Sequence, residues 1–175
     1  MITATEIREY LQLSKNVKDE EVAKYVVEAQ ELDIKPFLGE KFYYDFITNY
    51  LTNTDYTKLF EGGTYSPDSD GYLVSFTGIK KLLCYYTYNR FLVGNNEQLT
   101  RTGFVEKATP QSLAIDHANL LKKSSAILTT ANQFKESTVN YIEKNVDLFP
   151  LYPKKQTYDV NKTGLTMRAF RKNRY

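Results

Sequence analysis

The sequence predicts a mainly α protein: a helical bundle with a long C-terminal helix, one or two short β-hairpins or arms, and an extended C-terminal tail. Three observations predict it. Apolar residues recur at helical spacing through most of the first 150 positions. The run from Ile79 to Val93 is apolar on nearly every side, as a helix at the centre of a fold would be. Finally, Leu113, Leu120, Ile127, Phe134 and Tyr141 repeat every seven residues.

Taken in order, Thr3 and Glu6 have the spacing of a capping box ahead of a short helical stretch from Glu6 to Leu11. A second helix is expected from Asn16–Asp19, where Asp19, Glu20 and Glu21 place negative charge at the positive end of the helix dipole. Its apolar positions are Val22, Tyr25, Val26, Ala29 and Leu32, and Pro36 is expected to break it. A third helix follows over Gly39–Leu51, with one or two further turns over Asp55–Glu61. Gly62–Gly71 reads as a loop, and Tyr72–Phe76 as a short strand able to pair with Thr64–Ser66. Thr77 is the expected N-cap of a fourth helix, Gly78–Val93, stopped by Gly94-Asn95-Asn96. Gln98–Lys107 reads as an extended hairpin or arm.

The longest helix is expected from Pro110–Ser112 to Lys144, roughly 50 Å. Beside its heptad stripe runs a second stripe of modest side chains, His117, Ser124, Ala131 and Thr138. Such a seam lets a second helix approach closely, either inside the fold or on a neighbouring subunit. After Val146 the periodicity ends, and Phe149–Pro153 reads as an extended link. Two regions follow: a helical domain over 1–150 and an extended basic arm over 151–175.

Composition narrows the functional classes. The chain has 175 residues, enough for one domain that buries about 70% of its unfolded surface. Fifteen Tyr and ten Phe with no Trp supply much of the apolar area as rings, suited to a Tyr-rich core or to surfaces that become covered on assembly. The single cysteine, Cys84, rules out an intrachain disulfide. The opening Met1–Glu6 lacks the pattern of a signal peptide, and no membrane span is expected. The net charge of +2 is unevenly placed: Pro153–Tyr175 holds seven basic residues against Asp159, leaving the rest at −4.

No catalytic constellation emerges, and no cofactor or metal site is expected. His117 is the only histidine, so two-histidine zinc motifs are absent, and Cys84 sits where an inert packed thiol is expected. Asp68-Ser69-Asp70-Gly71 lacks the remaining ligands of a calcium loop, and no Gly-Lys-Ser/Thr follows Gly62-Gly63. The basic tail supports three readings. It is a solvated end, a nucleic-acid contact with Tyr158, Phe170 or Tyr175 available for stacking, or an arm laid on an acidic partner surface. The candidate arm residues are Lys154, Lys155, Lys162, Arg168, Phe170, Arg171, Lys172, Arg174 and Tyr175. A second candidate arm, for contacts between subunits, carries Leu99, Arg101, Phe104 and Val105.

The run Ile34-Lys35-Pro36-Phe37-Leu38-Gly39-Glu40-Lys41-Phe42-Tyr43-Tyr44-Asp45 resembles a segment of the head–tail connector (adaptor) proteins of tailed bacteriophages. There an acidic amphipathic helix leads through a Pro-x-Leu-Gly turn into a helix bearing Tyr-Asp. The stretch Leu83–Thr102 and the long helix beyond it are similar to the same family, especially its members in phages of Bacteroides-type hosts. The resemblance covers roughly residues 1–150 and leaves the basic tail outside. It implies a structural ring subunit, not an enzyme, with no cofactor. Such a subunit docks under the portal in the virion neck, extends the DNA channel and links to the next neck or tail component after assembly in the host cytoplasm. The implied partners are copies of itself, the portal, further neck or tail proteins and genomic DNA that passes without specific binding; no membrane is implied. The alternative from another class is a small DNA- or RNA-binding regulatory protein that uses the basic tail.

Overall fold

The structure, a computed structural model, describes residues 2–67, 71–100, 103–106 and 117–153. Its described residues form a helical bundle with two small antiparallel hairpins. The capping box is present: Thr3 N–H donates to Glu6 at 2.8 Å, opening α1 (Ala4–Tyr10). Helix α2 (Asp19–Ala29) starts with three acids, and its Asp19 Oδ1 accepts from Ala4 N–H at 2.7 Å, tying α1 to α2.

Pro36 does not break this helix. The chain passes through a π turn (Gln30–Ile34) into α3 (Lys35–Leu38), with Pro36 inside the last turn, and stops at Gly39. In a regular helix the proline ring would meet the carbonyl four residues back and leave it unpaired. The wider turn, closed by Lys35 N–H on the Gln30 carbonyl, accommodates it. Gly39 then adopts φ 78°, which redirects the chain into α4 (Glu40–Asn49). Helix α5 (Thr54–Glu61) is capped by the Asn53 side chain, which accepts from Asp55 and Tyr56 N–H.

Strands β1 (Gly63–Tyr65) and β2 (Val74–Phe76) form the expected hairpin, in register Gly63–Phe76, with β2 starting two residues later than the sequence suggests. Helix α6 (Ile79–Asn96) is the central element, packed by α7, α2, α1 and α5, and its residues Leu82, Leu83, Cys84 and Thr87 are fully or almost fully buried. Two expectations about its ends are corrected. Thr77 stands two positions before its first residue, Ile79, and exchanges contacts with Ser137 of α7: its N–H donates to Ser137 Oγ at 3.3 Å. Nor does Gly94 stop the helix, which continues through Asn96. A Cβ on Gly94 would lie 2.9 Å from the Tyr25 ring, so this glycine lets α2 and α6 approach closely.

Strands β3 (Glu97–Thr100) and β4 (Gly103–Glu106) form the expected second hairpin at the end of α6. Helix α7 (His117–Lys144) runs antiparallel to α6, with Asn132 against Tyr86 and Ser137 against Thr77. Its expected start at 110–112 lies outside the described residues. Both stripes face inward over Leu120, Ser124, Ile127, Ala131, Thr138 and Tyr141, while His117 is exposed. The seam is therefore internal and packs chiefly on α6.

The tyrosines build this core. Phe76 stacks on Tyr141 at 3.8 Å, and Phe42 meets Tyr56, Phe149 and Tyr152 edge-on at 5.7–5.8 Å. Residues expected as an extended link instead form successive turns over 145–152, because Phe149 must reach the core, where it is fully buried. One polar group fits poorly. Thr87 Oγ1 is wholly buried and has no hydrogen-bond partner among the described residues. Thr87→Val keeps the shape and removes the stranded hydroxyl, so it is expected to stabilise the fold by about 1 kcal/mol, read as a higher urea midpoint.

Candidate functional site

The surface richest in unusual chemistry lies where α2 and the π turn meet α6. Helical spacing puts Val22, Val26 and Ala29 inside and leaves Glu20, Lys24, Val27, Glu28 and Glu31 outside. Residues 19–34 carry six carboxylates against Lys24 alone. Among them two large apolar side chains stand in solvent, Val27 at 58% and Leu32 at 60% exposure.

Beside this face a cleft of about 570 Å³ opens between α2 and α6, lined by Lys24, Glu28, Asp33, Asn89 and Arg90 among others. Arg90 clamps Asp33 with two hydrogen bonds, Nε to Oδ2 at 2.7 Å and Nη2 to Oδ1 at 3.1 Å, and Glu28 lies 3.9 Å away. The hydrogen bond to Asp33 holds the guanidinium above its ordinary pKa. The half-buried pair locks the π turn against α6 in the fork geometry that arginine favours. Lys24 Nζ sits 4.5 Å above the Tyr25 ring. Asn89, at 8% exposure, has an Oδ1 without a hydrogen-bond partner among the described residues. Tyr86 donates to Asn132 Oδ1 at 3.2 Å, and burial pushes its phenol up to about 12.

At the lower end of the same helical run, Lys35 Nζ donates to Glu31 at 3.1 Å and to the Tyr44 hydroxyl at 3.0 Å, contacts that raise its pKa. Here the described chain ends: Pro153 packs on Gly39, where a Cβ would come within 2.8 Å of the proline ring. Phe37, Tyr152 and Pro153 line one side of a groove of about 640 Å³, with Lys135 and Asn140 of α7 on the other.

The structure does not join Cys84 to His117. Cys84 is fully buried on α6 with its thiol pushed up to about 12 by burial. Its helix neighbour Tyr85 faces Phe134, which lies about 25 Å along α7 from His117. Among the described residues no group of His, Cys, Asp and Glu is arranged to hold a metal ion, and no helix is long and apolar enough to cross a membrane.

Of the candidate subunit arm, Leu99 stands opposite Phe104 and Val105 opposite Gln98 in the β3–β4 ladder. Arg101 lies outside the described residues, as do Asp68–Asp70 and every candidate of the basic tail, Lys154 to Tyr175. The face on α2 was missed in the sequence as a site. Its signal was present in the acids of 19–33 and in Leu32, a residue assigned to the buried stripe that the π turn turns outward.

A family model matches residues 34–162: the DUF6712 family, a family of unknown function. No curated protein and no solved structure matches the chain.

Proposed function

The chain belongs to the DUF6712 family, and we propose that it is a structural subunit of a phage head–tail connector ring. In this role it docks under the portal, extends the DNA channel and links to the next neck or tail component. The observation that carries the reading is the β3–β4 hairpin. Two strands of four residues stand at the end of the central helix, and β3, which follows α6 directly, contacts it. A two-stranded ribbon is marginal alone in water, and each of its edges offers unpaired backbone groups to a strand from a neighbour. Such a hairpin suits a ring, whose contacts join two different surfaces of one subunit. The acidic balance of residues 1–152 suits a channel that DNA slides past, since phosphate binding requires clustered cations.

The test is the mass of the purified protein across a concentration series, alone and with the portal protein of the same genome. Rings, or rings that form only on the portal, are expected. A strict monomer indifferent to the portal would sink the reading. The charge of Pro153–Tyr175 favours one competing function, nucleic-acid binding by the tail. In that case mass would shift with DNA, and deletion of 153–175 would abolish the shift.

A further inference from the structure

We propose that residues 154–162 lie in the groove between α7 and the wall made by Phe37, Tyr152 and Pro153 of the same copy. The folded unit then closes near residue 162, and only 163–175 form the basic arm. This contact does not depend on the ring reading above.

The chain itself delivers this segment to the groove. Pro153 is part of the groove wall, with its ring over Gly39, and it is the last described residue. The Cα of residue 154 therefore stands about 3.8 Å from that of a wall residue. Helix α7 lines the groove from Asn132 to Asn140, about 12 Å of helix. At no more than about 3.6 Å per residue, an extended chain needs at least about four residues to cross it. Nine are present between Pro153 and residue 162. The match to the family ends at that same residue, before the cationic cluster that begins at Arg168. What this chain shares with its family thus continues past Pro153 and stops short of the arm.

The groove has the chemistry to hold such a segment. Phe37, Val139 and Tyr152 are only half-buried and leave apolar surface open along it. Tyr158 and Val160, two positions apart, fall on one side of an extended chain and can cover that surface. Asn140 is exposed, and Asn132 accepts from Tyr86 through Oδ1, which leaves its amide nitrogen to donate to a backbone carbonyl. Charge is complementary at the entrance. Lys135 sits over the Phe37 ring, 5.4 Å from its centroid, whereas Glu136 is exposed without an ion-pair partner among the described residues. Lys154 and Lys155 enter beside that carboxylate. Beyond the groove, 163–175 keep Arg168, Arg171, Lys172 and Arg174 with no acid among them. The boundary near 162 thus separates an anchor from a purely cationic arm.

The experiment is amide hydrogen exchange of the full-length protein, read by mass spectrometry of peptic fragments over a range of protein concentrations. Amides of 155–162 are expected to exchange about tenfold or more below the free-chain rate, at every concentration, while those of 164–175 exchange freely. The double substitution Glu136→Lys, Val139→Lys should return 155–162 to the free-chain rate with fragments of α6 still protected. Should α6 lose protection as well, Tyr158→Ser with Val160→Ser makes the same test from the side of the segment and leaves the helices unaltered. Free-chain exchange of 155–162 in the unaltered protein, or protection indifferent to both pairs of substitutions, would overturn the proposal. So would protection that rises with concentration, because a neighbour's segment would then fill the groove, and so would equal protection through Tyr175. A strict monomer that protects 155–162 would leave this contact standing and remove the ring reading. Rings built by a protein whose 155–162 exchange freely would do the opposite.

Discussion

Gly78→Ala is expected to destabilise the protein by roughly 4 kcal/mol, enough to unfold much of a marginally stable domain. Two penalties add there. Gly78 has φ 80°, a conformation alanine reaches only at a cost of about 1–2 kcal/mol. A methyl group would also sit 2.4 Å from the Gly62 backbone nitrogen and 2.7 Å from the Glu61 carbonyl carbon. Both are backbone atoms at the end of α5, so no rotamer change can make room, and α5 must move away from α6. The contact is mutual, since a Cβ on Gly62 would meet the Thr77 carbonyl oxygen at 2.4 Å. Gly71→Ala supplies the control, because Gly71 has nearly the same φ, 79°, and nothing within 4 Å of the added carbon. Urea denaturation followed by far-ultraviolet circular dichroism should show a loss of about 1–2 kcal/mol for Gly71→Ala and more than twice that for Gly78→Ala. Equal losses would mean that the α5–α6 backbone contact is looser than described.

Phe42→Ala should cost about 4 kcal/mol, near the upper end for removal of a buried ring. Phe42 is fully buried and makes edge-on contacts with Tyr56, Phe149 and Tyr152, from α5 and from the turns that follow α7. Such pairs add about 0.5–1.5 kcal/mol beyond the apolar area they cover. The void left behind cannot close cheaply, because Tyr56 is held by a hydrogen bond to the Asp45 carboxylate. Phe42→Leu retains most of the volume and should cost less than half as much. The second effect is directional: with Phe42 gone, Phe149 and Tyr152 lose a shared wall. Limited proteolysis should therefore cut near residue 150 faster than elsewhere. Unchanged cleavage there, with the stability loss intact, would show that other contacts hold the C-terminal turns.

The parts of this fold legible in the sequence are those set by near neighbours. The Thr3–Glu6 box, the acids opening α2, the Asp55–Glu61 turns and the 63–76 hairpin all follow from residues a few positions apart. The all-round apolar run placed α6 at the centre correctly. What was not legible depends on distant partners. Gly94 reads as a stop signal until Tyr25 is found against it, and Thr77 reads as a cap until Ser137 is found beside it. Phe149, flanked by Pro150 and Pro153, reads as part of a linker, although its ring lies against Phe42 and Tyr141. The candidate site divides the same way. The tail's charge is a property of composition and needs no fold. The face on α2 and the π turn exists only once Leu32 is turned outward and Arg90 has fixed Asp33.

The π turn also resolves a mismatch of period. Val22, Val26 and Ala29 lie within about 60° of one another around a regular helix, but Ile34 and Leu38 would fall about 120–160° from Val22 at 3.6 residues per turn. All five are buried. One surplus residue in the turn offsets the later positions by about 100°, which brings Ile34 and Leu38 back onto the azimuth of the first three. The run from Asp19 to Leu38 thus reads as two amphipathic frames, spliced at the point where Leu32 is extruded. A relative one residue shorter there could keep the same buried stripe as an unbroken α-helix, but it would surrender the outward bulge.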